Sequence, residues 1–250
     1  MAIDAMSSTS APPVLYSVVV PAFNEEALLP ATLAAIRAAM ARVPEAGELI
    51  VVDNNSSDAT AEVARRHQAT VIFEPRNSIS RARNAGGRAA RGPYLFFVDA
   101  DSLLPPGILA TAVDHLRSGR VAGGGALFEL DDPSLRLGRR LVDTFNHVAV
   151  RQQFGPGCFI YCRREAYQEV GGFDERLYAS CDSVFFRALR RWSRRRGLSL
   201  RIIDDARVVT SGRKLRHPAQ FLLVTALHVV FPFSVYFRSL CWSWYRRVSS

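Results

Sequence analysis

The alternation of short apolar runs with longer amphipathic runs between residues 15 and 116 is the feature that most restricts the fold of this chain. Strands are predicted at residues 15–20, 48–52, 70–73 and 94–98, and helices at residues 25–42, 58–67, 80–90 and 106–116. Repeated β-α units of this kind predict an α/β fold, in which an open, mostly parallel sheet is flanked by helices. The pattern loosens after residue 121, where further strands are predicted at residues 158–161, 200–203 and 207–209.

Two acids, Asp99 and Asp101, follow the apolar strand at residues 94–98 directly. Ligands of open α/β sheets bind beyond the carboxyl ends of the strands, and alternate residues of an extended chain point the same way. Two carboxylates in this position could hold Mg²⁺ or Mn²⁺ while a substrate diphosphate supplies further oxygen ligands. The alternative is that these acids cap the helix that follows Pro105 and Pro106.

Other polar clusters are predicted at the same edge of the sheet. Asp53 ends the second strand, where it could accept hydrogen bonds from a nucleobase or a ribose hydroxyl, or serve only as a turn carboxylate. Arg76 and Arg83 lie close to the start of the third helix, whose backbone donors favour a phosphate group. A solvated basic helix face is the alternative, in particular for Arg81.

The chain has 250 residues, a formal charge of +9 and a pI near 10.0. This charge implies an anionic partner, which could be a nucleic acid, a phosphorylated small molecule or an acidic lipid surface. The four cysteines form no paired ligand pattern, so reduced thiols and a cytoplasmic location are expected. Residues 1–13 lack the features of a signal peptide and are expected to form a flexible N-terminus.

Four segments together resemble the family 2 glycosyltransferases of the GT-A fold, over about residues 16–205: V-P-A-F-N-E-E at 20–26, V-V-D-N-N-S-S-D-A-T at 51–60, A-R-N-A-G at 82–86 and D-A-D at 99–101. The resemblance implies inverting transfer of a sugar from a nucleotide-diphospho-sugar, with Asp99 and Asp101 around a Mg²⁺ or Mn²⁺ ion. The nucleotide-sugar site implied in this way also contains Pro21, Phe23, Glu25, Asp53, Arg76 and Arg83.

The second half of the chain extends the resemblance to the acceptor side, through G-P-G-C at 155–158, G-G-F-D-E at 171–175 and C-D at 181–182. Asp182 is implied as the catalytic base, with Cys181 standing where the family usually has Glu. The alternative for Asp182 is the N-cap of the basic helix predicted at residues 183–196. The segment T-S-G-R-K at 210–214 resembles a loop that closes over the diphosphate, which implies phosphate contacts for Arg213 and Lys214.

Residues 221–236 are almost all apolar, but His228 and Pro232 interrupt them and the run is too short to span a bilayer. With the aromatic and basic residues up to Arg247, they predict an interfacial helix or hairpin at the inner face of the membrane. This contact would suit a lipid-linked acceptor, and a buried C-terminal helix is the alternative. The expected organisation is a flexible terminus at 1–13, a catalytic domain at 14–216 and an apolar helical segment at 217–250.

Two other functions are compatible with an α/β sheet and a basic chain. A nucleotidyltransferase would be expected to have a glycine-rich basic loop after the first strand, and residues 21–26 contain no glycine. A nucleic-acid-binding protein would need a Lys/Arg face, and clustered acids at the sheet edge would repel its phosphates. The sequence therefore favours a nucleotide-sugar donor over nucleic acid.

Overall fold

The computed structural model describes residues 13–215 and 231–241. Its strands are β1 Tyr16–Ala22, β2 Gly47–Asp53, β3 Thr70–Phe73, β4 Tyr94–Val98, β5 Ser102–Leu103, β6 Val121–Leu130, β7 Phe159–Arg163 and β8 Ser199–Thr210. Its α-helices are α1 Leu29–Met40, α2 Thr60–Arg66, α3 Ile79–Ala89, α4 Ile108–Arg117, α5 Arg136–Gln152, α6 Arg164–Glu169 and α7 Cys181–Arg195. Short 3-10 helices follow at Gly212–Leu215, Pro232–Tyr236 and Arg238–Cys241. The expected N-terminal segment up to residue 12 and most of the 217–250 segment lie outside the described residues.

All eight strands form one sheet in the order β3-β2-β1-β4-β7-β6-β8-β5. Strands β1 to β4 pair in parallel, as predicted, and β6 pairs in parallel with β8. Strand β7 lies antiparallel between β4 and β6, and β5 is antiparallel to β8 at the edge. The α/β fold class is therefore confirmed, with the direction of the sheet reversed at β7 and β5.

Helices cover both faces of the sheet, which explains why its central strands are apolar throughout. Strand β1 is buried along its whole length. Helices α1 and α4 pack on one face, through residues such as Leu33 and Leu109, while α3 and α7 pack on the other. At Gly86 of α3 an added Cβ would lie 2.2 Å from Cγ1 of Val19, so glycine permits the close approach of this helix to the sheet. None of the described helices is long and apolar enough to cross a bilayer.

The parallel register of β1, β2 and β4 brings their carboxyl ends to one edge. Ala22 at the end of β1 pairs with Asp53 at the end of β2. The backbone N–H of Asp99, just beyond β4, donates to the carbonyl of Cys158 at 3.2 Å and so joins this edge to the start of β7. The residues predicted to carry chemistry are therefore gathered where these strands end.

Candidate active site

The acids that follow β4 are each paired with a different arginine. Nη2 of Arg83 lies 2.8 Å from Oδ1 of Asp99, and Nη2 of Arg213 lies 2.9 Å from Oδ2 of Asp101. The side chain of Asp101 is 10% exposed and that of Asp99 is 23% exposed. Helix α4 begins at Ile108 with Gly107 as its N-cap, so neither acid caps that helix. The capping alternative is therefore wrong, and each of the two carboxylates takes part in its own ion pair.

Arg213 joins three loops at this edge. It reaches Glu25, which follows β1, with Nη1 2.9 Å from Oε2, while its Nη2 is shared between Glu25 and Asp101. Burial disfavours the charged guanidinium, but hydrogen bonds and charge from Glu25 and Asp101 outweigh it, and the pKa of Arg213 is raised. The loop after β8 is thereby tied to the ends of β1 and β4. Lys214 lies next to it in the Gly212–Leu215 3-10 helix.

The predicted nucleotide residues surround the ends of β1, β2 and β3. Asp53, the last residue of β2, is 7% exposed, and its Oδ1 accepts the backbone N–H of Ser56 at 3.0 Å. Its carboxylate therefore stabilises the turn that follows the strand. Pro21 is buried within β1, Phe23 is half-buried after it, and Arg76 is exposed after β3.

Asn54, which the sequence argument passed over, holds these loops together. Its Nδ2 donates to the carbonyls of Glu74 at 3.1 Å and Arg76 at 2.7 Å, and its Oδ1 accepts the N–H of Ser78 at 2.8 Å. The side chain is buried. An Asn directly after a strand-ending Asp was the available signal, because short amides often bind neighbouring backbone. Asn54 therefore fixes the position of Arg76 relative to Asp53.

Arg83 forms a buried link between the donor acids and the acceptor side. It is 2% exposed, and Nη2 donates to Asp99 and, at 2.8 Å, to the carbonyl of Gly157. Its Nη1 lies 3.6 Å from Sγ of Cys181, and its guanidinium carbon lies 5.1 Å from the centre of the Phe173 ring. Burial opposes its charge, but nearby acidic groups raise its pKa above the usual arginine range. Arg83 is therefore held by protein groups, and its predicted phosphate contact stays a prediction.

Asp182 is half-buried in the first turn of α7, beside the loop that contains Gly157. Ser180 is the N-cap of α7, so Asp182 is not the cap, although its Oδ1 accepts the N–H of Ser183 at 2.9 Å. A Cβ added to Gly157 would lie 2.8 Å from Oδ2 of Asp182 and 3.3 Å from Nη2 of Arg83. Cys181 is buried, which raises the pKa of its thiol. A side chain at position 157 would therefore displace the Asp182 carboxylate from its present place.

The donor chemistry of the acid pair fits a hard divalent cation. Asp99 and Asp101 present carboxylate oxygens, the ligands that Mg²⁺ and Mn²⁺ prefer. Burial raises the pKa of the nearby Cys158 thiol, and the charges of both acids raise it further, which indicates that the two carboxylates share one neighbourhood. Within residues 13–215 and 231–241, no group of three or more His, Cys, Asp or Glu side chains is arranged as a metal site. Two protein carboxylates would thus be completed by oxygens from another source.

Comparison with known proteins identifies a family and several relatives of this chain. The model of the family "Glycosyl transferase family 2" matches residues 17–175. An uncharacterised glycosyltransferase of Mycobacterium tuberculosis is 45% identical over 103 residues, which are 41% of this chain and 44% of that protein. The undecaprenyl-phosphate 4-deoxy-4-formamido-L-arabinose transferase of Pseudomonas aeruginosa is 31% identical over 167 residues, covering 62% of this chain and 47% of the relative.

Among solved structures, a mannosyltransferase from Pyrobaculum calidifontis in complex with GDP-Man and Mn²⁺ has the same fold. Its TM-score is 0.65 at 21% identity, and the match covers 96% of this chain and 66% of that one. The matched regions span less than half the length of the two curated relatives. The likeness in structure therefore concerns the fold, while the sequence match carries the family.

Proposed function

The chain belongs to glycosyl transferase family 2, and from this premise we propose that it transfers a sugar from a nucleotide-diphospho-sugar to an acceptor hydroxyl or phosphate. We propose further that the anomeric carbon is inverted and that Mg²⁺ or Mn²⁺ is the cofactor. The observation that carries this proposal is the placement of two ion pairs at the end of β4, where Asp101 pairs with Arg213 and Asp99 pairs with Arg83. The charge of Asp182 also acts on Arg83.

On the donor side, Asp53 and Arg76 would bind the nucleotide together with Pro21 and Phe23. Asp99 and Asp101 would hold the divalent ion, which when bound would stabilise the negative charge that develops on the departing diphosphate. Arg213 is already held at this position by Glu25 and Asp101. Its guanidinium, with the charge of Lys214, would add a further counter-charge to the phosphates.

On the acceptor side, Asp182 would accept the proton of the acceptor hydroxyl at a hydrogen-bonding distance of about 3 Å. The acceptor oxygen then forms its bond to the anomeric carbon as the bond to the diphosphate breaks on the opposite face. An acceptor that is already an ionised phosphate would not need this proton transfer. Arg83 would act as a positioning residue, since it contacts Asp99 and the carbonyl of Gly157, and the space beside the Gly157 Cα is taken by the Asp182 carboxylate.

A lipid-linked acceptor and a peripheral position at the inner face of the membrane are part of the proposal. The relative from Pseudomonas aeruginosa is named for transfer involving undecaprenyl phosphate, which supports an acceptor of that class. Part of the apolar segment expected to meet the membrane lies in the described residues, where Phe231, Phe233 and Phe237 are 63%, 78% and 58% exposed. The remainder of that segment lies outside the described residues.

The proposal is tested by thermal unfolding of the full chain with UDP-, GDP- and dTDP-sugars, with and without Mn²⁺. A ligand that binds the folded state raises its Tm, so at least one sugar nucleotide should raise it, and should do so only when Mn²⁺ is present. Asp101→Asn should abolish this rise. The control Asp114→Asn, which changes an exposed acid of α4, should keep it. A panel in which no nucleotide raises the Tm would overturn the proposal.

An assay of sugar transfer distinguishes the role of Asp182 on the acceptor side from the roles of the donor-binding residues. Asp182→Asn should keep the rise in Tm caused by the donor but lose sugar transfer to a saccharide hydroxyl, because only a hydroxyl acceptor has to give up a proton. If the variant transfers sugar at the rate of the wild type to a hydroxyl acceptor, Asp182 is not the base.

A further inference from the structure

Helix α5 exposes a line of apolar side chains to solvent. Leu137, Leu141 and Val148 are 55%, 41% and 42% exposed. At 100° of rotation per residue they fall within about 40° of one another around the helix axis, and we call them the α5 stripe. The core-facing side of the same helix is formed by Val142, Ala149 and other buried residues. The stripe therefore lies on a separate side of α5 from its packing contacts.

The surroundings of the α5 stripe are basic. Arg140 and Arg151 are exposed and border the stripe, while Asp143, the acid of this helix, lies on another side and pairs with Arg207 at 3.5 Å. An exposed apolar line flanked by arginines is typical of a helix that lies in the headgroup layer of a membrane. Arginine can rest its apolar stem on such a surface and direct its charge to lipid phosphates. A second copy of this chain would instead bring like charges together.

The position of α5 relative to the candidate site also suits a membrane surface. Just before α5, Leu135 packs on Gly212, because a Cβ added to that glycine would lie 2.6 Å from Cδ1 of Leu135. Gly212 directly precedes Arg213. Just after α5, the ring of Phe154 lies 5.5 Å from that of Phe186 in α7, the helix that begins at Cys181. Helix α5 thus spans from the donor loop to the helix that carries Asp182.

We propose that α5 docks on an anionic lipid surface, with the α5 stripe inserted at the boundary of the acyl chains and its arginines at the lipid phosphates. The docking itself rests on the exposure and charge of α5. Its consequence, that a lipid-linked acceptor would be presented beside Asp182, rests on the proposed function. These residues are not part of the apolar C-terminal segment, so α5 would be a membrane contact in addition to the one expected of that segment.

The test uses the full chain with vesicles of phosphatidylcholine, with and without phosphatidylglycerol, in a sedimentation assay. The variant Leu141→Gln/Val148→Gln should bind the anionic vesicles at least about tenfold more weakly than the wild type, because apolar surface is lost from the contact. The matched control is Val150→Gln, which changes a valine of the same helix that is 40% exposed on another side. The control should bind the vesicles like the wild type. Added salt should weaken vesicle binding by the wild type and by the control alike.

Two results would overturn the docking. One is equal binding by the wild type and the double variant. The other is a wild-type dimer in light scattering that the double variant converts to a monomer without any vesicle binding, which would identify the α5 stripe as a contact between copies. Thermal shifts with sugar nucleotides, measured without vesicles, should be the same in the double variant and the wild type. If no sugar nucleotide raises the Tm of the wild type, the proposed function is contradicted, while the vesicle-binding result still supports the docking of α5.

Discussion

Removing the charge of Arg83 should destabilise the fold more than removing any exposed arginine of the same helix. Arg83 is 2% exposed and is held by Asp99 and the Gly157 carbonyl, each at 2.8 Å. Arg83→Met would leave the Asp99 carboxylate without its buried counter-charge. Deleting one partner of a buried ion pair costs about 3–5 kcal/mol. Because the side chain of Asp99 is 23% exposed and can recruit water, we expect the lower end, about 3 kcal/mol.

Urea unfolding followed by circular dichroism measures this loss. With an m value of about 3 kcal/mol/M, the midpoint should fall by about 1 M. Arg88→Met is the matched control, because Arg88 lies on the same helix, its side chain is 62% exposed and it pairs with Glu175 at 3.3 Å. Its loss should stay below about 1 kcal/mol. Arg83→Lys keeps the charge but not the planar fork, so it should fall between the two.

A double-mutant cycle with Asp99→Asn assigns the energy to the pair. If the ion pair carries the loss, Arg83→Met should cost less in the Asp99→Asn background than in the wild type. A loss for Arg83→Met no larger than that for Arg88→Met would refute the reasoning. An unchanged loss in the Asp99→Asn background would do the same.

Three further predictions concern the packing and charge of the fold and site. Gly157→Ala places its Cβ 2.8 Å from Oδ2 of Asp182, so sugar transfer should fall at least about tenfold while the donor still raises the Tm. Gly86→Ala should lower the free energy of unfolding by about 1–3 kcal/mol in urea, because its Cβ meets Val19. Burial alone would raise the pKa of Glu48, but hydrogen bonds from Ser17 and Arg91 outweigh it and hold the pKa below 4.5. The stability contributed by this carboxylate is present above pH 4.5 and is lost as the pH falls through the lower folded value. Glu48→Gln should therefore cost about 1–2 kcal/mol at neutral pH and progressively less in acid.

Each of these expectations has a contrary result. Equal loss of donor binding and transfer in Gly157→Ala would show a general distortion rather than a displaced Asp182. A neutral Gly86→Ala would mean that α3 can shift without cost. A difference between Glu48→Gln and wild type that grows on acidification would reverse the assigned sign of the pKa shift.

The parallel half of the fold was accessible from sequence because each strand there is a continuous apolar run. Strand β4 has the predicted bounds, and β3 likewise. Strand β8, by contrast, runs unbroken over Ser199–Thr210, where two short strands were expected around Asp204 and Asp205. Pairing with β6, through a register shift at Ala126, carries the chain across those polar residues. The reversed direction of β7 depends on distant partners, which local periodicity does not encode.

The sequence predicted which residues lie at the candidate site, but it did not predict the ion pairs between them. Strand endings located Asp53, Asp99 and Asp101 correctly at one edge of the sheet. The partnership of Arg213 with Glu25 joins residues 188 positions apart, and no local pattern specifies it. The burial of Arg83 likewise follows from packing between α3 and the Gly157 loop. The sequence predicted a phosphate contact for Arg83 and did not predict its ion pair with Asp99.

The most direct test of the account is binding of Mn²⁺ to the full chain in the presence of UDP or GDP, followed by the electron paramagnetic resonance signal of the free ion. The account predicts that the wild type binds one Mn²⁺ per chain with at least one of these nucleotides, and that Asp101→Asn weakens this binding at least about tenfold. Equal Mn²⁺ affinity in the wild type and the variant, or no binding in the wild type, would contradict the assignment of the acids beyond β4 as the metal-holding pair.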